Sequence, residues 1–79
     1  MNLENKIYML TTKDCTKCPF VKQILATKNV EVEYIDNEED PTIAAFFEIM
    51  SVPSIIDNRH GNKTAHIGQQ SCLSFVNSI

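Results

Sequence analysis

The chain has 79 residues, 43% of them hydrophobic and 22% charged, with a formal net charge of -3 and a sequence pI near 5.2. That length predicts a single domain over residues 1–79 with a small core, and the composition excludes a disordered tail. Its seven Lys and Arg are scattered, which excludes the basic stripe of a nucleic-acid binder and disfavours an anionic membrane surface.

The opening Met1-Asn2-Leu3-Glu4-Asn5-Lys6 has no basic stretch leading into an apolar run, so no signal peptide is expected. No apolar run approaches the roughly 20 residues that span a bilayer. The expectation is a cytoplasmic monomer. In that compartment a Cys-x-x-Cys is more often catalytic or metal-binding than a permanent staple.

Lys6-Ile7-Tyr8-Met9-Leu10-Thr11 carries a largely continuous rather than alternating apolar run, the pattern of a strand buried on both faces. Thr12-Lys13-Asp14 is a polar loop. A helix is predicted from about Thr16 to Lys28, with Val21, Ile24 and Leu25 as its core stripe and Phe20 widening it. Pro19 fits the first turn, where backbone N–H groups have no intrahelical partner. Asn29 suits the C-cap. Val30 to Asp36 alternates in its first half and predicts a second strand. After the acidic Asn37-Glu38-Glu39-Asp40, Asp40 is placed to cap a helix with Pro41 first. That helix runs to about Met50 and offers Ile43, Ala44, Phe46, Phe47 and Met50 to the core. Ser54–Asp57 and Lys63–Ile67 read as a hairpin around Asn58-Arg59-His60-Gly61-Asn62. Ser71 is expected to cap a last helix carrying Leu73, Phe75 and Val76.

The order is β-α-β-α-β-β-α, an α/β chain. A strand–helix–strand opening implies a parallel pair with a right-handed crossover.

The chemistry centres on Cys15-Thr16-Lys17-Cys18, between the first strand and first helix. Two thiols at this spacing can close a disulfide across one turn. The competing reading is half of a zinc site, but zinc wants four ligands, and Cys72, His60 and His66 lie without ligand spacing. A redox-silent pair is the third reading. Cys72 is expected to be a small buried hydrophobe. His60 and His66 are expected at the surface, His66 near the site rim. Glu38 and Glu39 are expected to be solvated; Lys13 reads equally as a solvated charge or as a contact for an acidic partner.

This element order, with Cys15 and Cys18 at the first strand–helix junction and Val52-Pro53 35 residues on, resembles the thioredoxin superfamily. In size it is most similar to glutaredoxins and glutaredoxin-like thioredoxins. The resemblance implies a four-stranded mixed sheet flanked by three helices, and it covers nearly the whole chain. Some positions depart from the pattern. Lys17 stands where glutaredoxins usually carry an aromatic residue. Gly68-Gln69-Gln70 stands where they carry Gly-Gly and an acid that hold glutathione. Thr16-Lys17 replaces the Gly-Pro of thioredoxins, and Ile7–Leu10 offers no buried carboxylate. Cys18-Pro19 looks like thioredoxin-fold domains that pass electrons between proteins.

The resemblance implies a thiol–disulfide oxidoreductase that reduces protein disulfides and uses no bound organic cofactor. Electrons would come from glutathione or from an NADPH-dependent flavoprotein reductase. A ribonucleotide reductase or a peroxidase would be a target by analogy. Cys15 is the expected nucleophile, activated at the helix N-cap, and Cys18 the resolving thiol. Pro53 is expected to be cis and to face the cysteines. Val52 would then pair backbone-to-backbone with an extended substrate. Lys17, Gly68 and Gln69 complete the expected substrate-binding set. Two other functions remain open: a metal or iron–sulfur carrier using the same cysteines, and a redox-silent peptide-binding module.

Overall fold

The structure is a computed structural model and describes residues 2–79. Four strands form one sheet, β1 (Ile7–Thr11), β2 (Val32–Asp36), β3 (Ser54–Asp57) and β4 (Thr64–Ile67), in the order β2-β1-β3-β4. β1 pairs parallel with β2, Ile7 opposite Val32 and Thr11 opposite Asp36. On its other side it pairs antiparallel with β3, which pairs antiparallel with β4. The helices are α1 (Cys18–Leu25), α2 (Thr42–Phe47) and α3 (Gln69–Ser78).

Every residue of β1 is buried, as its continuous apolar sequence requires of a central strand. Alternate side chains go to opposite faces. Ile7 and Met9 join Ile55 beneath Val21, Leu25, Cys72, Phe75 and Val76 of α1 and α3. Tyr8 and Leu10 join Ile35, Ile43, Ala44, Ile49 and Ile56 on the α2 face. Among the described residues no helix is long and apolar enough to cross a membrane.

The helix ends differ from expectation, each for a local reason. α1 begins at Cys18 rather than Thr16, with Lys17 at its N-cap. Cys15 therefore stands outside the helix instead of capping it. Ala26 rather than Asn29 ends it. The N–H groups of Thr27 and Lys28 turn back on the carbonyls of Ile24 and Leu25 at 3.0 Å each, so the last carbonyls are satisfied without a left-handed Asn. Phe20, expected to widen the core stripe, is 57% exposed.

At α2, Pro41 occupies the N-cap. Asp40 stands one residue further out, yet its Oδ1 still accepts the Thr42 N–H at 3.2 Å. The helix stops at Phe47 because Glu48 is left-handed (φ 57°) and the Ile49 N–H returns to the Ala44 carbonyl at 2.8 Å. This is a Schellman-type closure. It turns Ile49 into the core and leaves Met50 and Phe46, both expected inside, at 97% and 52% exposure.

α3 begins at Gln69 with Gly68, not Ser71, at its N-cap. Gly68 has φ 90°, a conformation that favours glycine. In the β3–β4 turn, buried Asn58 ties down the N-terminal segment, its Nδ2 donating to the carbonyls of Leu3 and Glu4. Its Oδ1 accepts the N–H of left-handed Lys63 at 3.1 Å, so β4 starts one residue later than expected.

Candidate active site

The sheet register brings three connections to one end. Leu10 lies opposite Ser54, and Ser54 lies opposite Ile67. The loop after β1, the segment before β3 and the turn after β4 therefore meet there. They carry Cys15 to Cys18, Val52-Pro53 and Gly68-Gln69 respectively.

Cys15 and Cys18 form a disulfide, with Cα atoms 5.5 Å apart. Cys18 is 3% exposed and Cys15 is half-buried, packed against the same core cluster. The Cys18 backbone N–H donates to Cys15 Sγ at 3.1 Å. The first N–H of α1 is thus satisfied by a sulfur that lies three residues upstream. Such an acceptor position favours negative charge on the sulfur once the disulfide is opened, because an N–H donor and the positive helix end both stabilise an anion. Lys17, at the N-cap between the cysteines, is exposed.

The Val52–Pro53 peptide bond is cis, as expected. Pro53 is buried, and its carbonyl accepts the Gly68 N–H at 3.0 Å. Two of the residues singled out in the sequence are therefore bonded directly. Val52 is half-buried and packs on the cluster that also receives Cys15. Gln69, half-exposed, is the first residue of α3.

The third sulfur lies close by. Cys72 is fully buried, and its thiol lies 3.5 Å from the Pro53 carbonyl and 3.4 Å from that of His66. Burial pushes its pKa up to about 11, against the opposing pull of the Ile55 backbone. The expected small buried hydrophobe is therefore also a contact of the proline turn, which sequence spacing alone does not reveal. His66 is half-buried and stacks on Phe75 with ring centres 4.3 Å apart. His60 is exposed in the β3–β4 turn, after Asp57, which pairs with the start of β1. That turn is at the opposite end of the sheet. Glu38 and Glu39 are exposed, as expected, and Lys13 is exposed too. Among the described residues, no three His, Cys, Asp or Glu side chains group to hold a metal ion.

Sequence reasoning also did not foresee that Met50, three positions before Pro53 in the chain, is almost wholly exposed. The signal available was the adjacent Ile49-Met50 pair so close to a proline. A helix ending there can turn only one of the two inward.

Comparison with known proteins agrees with this geometry. The family model Glutaredoxin matches residues 6–60. A protein named thioredoxin from Methanocaldococcus jannaschii is 37% identical over 59 residues, covering 67% of this chain and 69% of its own length. A solved structure described as that of a malarial protein superposes with a TM-score of 0.60 at 17% identity, covering 91% of this chain and 92% of that one. That last likeness concerns the fold. Together with the mixed four-stranded sheet and the paired cysteines at its end, these matches make the chain a member of the glutaredoxin family, within the thioredoxin superfamily, with a thiol redox role.

Proposed function

We propose that this chain is a dithiol thiol–disulfide oxidoreductase that reduces protein disulfides. The observation that carries the reading is the Cys18 N–H donated to the half-exposed Cys15 sulfur at 3.1 Å. Reduced Cys15 attacks one sulfur of a substrate disulfide. A Cys15–substrate disulfide forms, and the other substrate sulfur leaves as a thiolate that takes up a proton. Cys18 loses its proton and attacks Cys15 Sγ, forming the Cys15–Cys18 bond and releasing the second substrate thiol. Two electrons pass from the dithiol to the substrate. The burial of Cys18 supports this division of labour, since an external disulfide reaches Cys15 first.

The Val52 backbone, beside the cysteine core, is placed to pair with an extended substrate segment. Lys17, Pro53, Gly68 and Gln69, at the same end of the sheet, complete the proposed substrate-binding set. The relative named thioredoxin supports a protein-directed role. Glutathione or an NADPH-dependent flavoprotein reductase returns the electrons in a reducing cytoplasm, and a ribonucleotide reductase or a peroxidase is a target class by analogy.

The test is a trapping experiment. Cys18→Ser, reduced and mixed with a disulfide protein such as insulin, accumulates a mixed disulfide through Cys15 that mass spectrometry detects. Cys15→Ser forms none. A mixed disulfide that forms equally well in Cys15→Ser overturns the assignment. The rate at which glutathione reduces the oxidised protein then separates the two donors.

A further inference from the structure

We propose that β4 is a dimer edge: two copies of this chain join antiparallel along Thr64–Ile67 and form one eight-stranded sheet. The proposal stands apart from the redox reading and replaces the monomer expected from the sequence.

β4 is an outer strand, and among the described residues no strand lies beyond it. The register shows which of its backbone groups face outward. The Gly68 N–H reaches the Pro53 carbonyl at 3.0 Å, one position beyond the Ser54–Ile67 pair. Antiparallel pairs alternate between bonded and non-bonded, so His66 and Thr64 also bond to β3. Ala65 and Ile67 therefore turn their N–H and C=O groups to the open edge, and both residues are exposed.

The two edges of the sheet differ in charge. β2 carries Glu33 and Asp36, with Glu31 just before it. Charge on an edge strand blocks pairing with another strand. No Asp, Glu, Lys or Arg occurs from Thr64 to Ile79, although these make up 22% of the chain. This contrast selects a second copy as the occupant. Each copy carries a net charge of -3, and like-charged molecules meet with least repulsion on the side that bears no charged side chain. Such an edge also has nothing to select an acidic or basic partner. The charged β2 edges end the assembly at two copies.

Symmetry fixes the pairing. A two-fold contact centred on His66 sets Ala65 opposite the partner's Ile67, twice, and makes four backbone hydrogen bonds. A contact centred on Ala65 would need Lys63 to pair, but Lys63 is left-handed and Asn58 Oδ1 holds its N–H at 3.1 Å. Each Ile67, 47% exposed, loses water beside a small residue. Four strand residues are too few for a stable dimer, which covers about 800 Å² on each partner, about a sixth of the 4808 Å² surface here. The uncharged surface continues onto α3, where Gln70, Ser71, Ser74 and Ser78 line a groove with His66 and Phe75, and the contact extends over it. Because the strands run antiparallel, the two cysteine sites lie at opposite ends of the joined sheet.

Sedimentation velocity of the oxidised full chain tests this. At concentrations up to about 1 mM the unaltered protein reaches twice its 9.0 kDa mass and stops there. Ala65→Lys with Ile67→Lys, and Ala65→Glu with Ile67→Glu, each set like charges opposite one another and raise the dimer Kd more than about tenfold. Mixing the two variants sets opposite charges across the same pairs and restores the dimer. Hydrogen exchange needs no variant: the Ala65 and Ile67 amides of the unaltered protein become protected as concentration rises. A protein that stays monomeric overturns the proposal and leaves the edge to some other molecule. A dimer that survives both variants, variants that do not recover on mixing, or Ala65 and Ile67 amides that stay unprotected in the dimer overturn the β4 contact. A mass that keeps growing with concentration overturns the two-fold closure.

Discussion

Cys15 and Cys72 lie at the same end of the sheet, yet their surroundings pull them in opposite directions. Cys15 is half-buried, and its sulfur accepts an N–H from the start of α1. Cys72 is fully buried, and its sulfur faces two carbonyl oxygens, those of Pro53 and His66. A donor facing sulfur favours the thiolate, whereas acceptors facing sulfur favour the thiol. Burial lifts Cys72 to about 11, against the opposing pull of the Ile55 backbone. What distinguishes the two cysteines here is burial, complete at Cys72 and partial at Cys15, together with the N–H that the start of α1 aims at Cys15, more than proximity to the site.

The largest effect that tests this contrast is loss of the reactive sulfur. Cys15→Ser reduces insulin no faster than the uncatalysed background, while Cys72→Ala keeps the Cys15–Cys18 chemistry. If Cys72→Ala loses activity as completely, the contrast drawn between the sulfurs is wrong. The next effect is a labelling ratio. In the reduced native protein near neutral pH, iodoacetamide modifies Cys15 more than about a hundredfold faster than Cys72. Peptide mass spectrometry reads this ratio.

A smaller effect concerns stability. Below the ordinary thiol value of about 9, Cys72 is protonated in both folded and unfolded chains. As pH rises toward about 11, the unfolded thiol ionises while the buried one resists. Folding stability is therefore lost across that window. Urea unfolding of the oxidised protein, in which Cys15 and Cys18 do not titrate, shows this loss, and Cys72→Ala removes that part of the slope.

The smallest effect uses α2 as a control helix start. There the acceptor is the exposed Asp40 carboxylate, held below its usual value by its hydrogen bonds to Thr42. Its contribution is present above the ordinary carboxylate pKa and is lost as pH falls through the lowered value. Asp40→Asn slightly lowers the thermal midpoint at neutral pH, loses that difference in acid, and leaves disulfide exchange unchanged. A fall in exchange would show that the two helix starts are coupled.

The sequence made the elements of this fold legible because each had a strong local pattern. The continuous apolar run of β1 signalled a central strand. The alternating segment around β2 and the turn residues before β4 signalled the others. The cysteine pair was legible because its spacing is itself chemical information. Helix ends were less so, since they depend on backbone closures such as left-handed Glu48 and Gly68, for which nearby residues compete. Asn29 and Ser71 are good caps by type, but the chain had already closed or opened the helix elsewhere. Phe20, Phe46 and Met50 were misplaced for a related reason. Apolar character predicts burial only until helix termination fixes which side faces out.

By itself, then, the sequence determined the element order, the family and the two sulfurs able to exchange. These follow from short-range periodicity and from residue chemistry. Only the tertiary structure decided that Cys15 receives an N–H, that Cys72 is buried against the proline turn and that Met50 is left in solvent. The Cys72 outcome depends on the distant Pro53 carbonyl, brought to it by sheet register and core packing, while the Cys15 and Met50 outcomes depend on where α1 opens and α2 closes, which residue type alone does not fix.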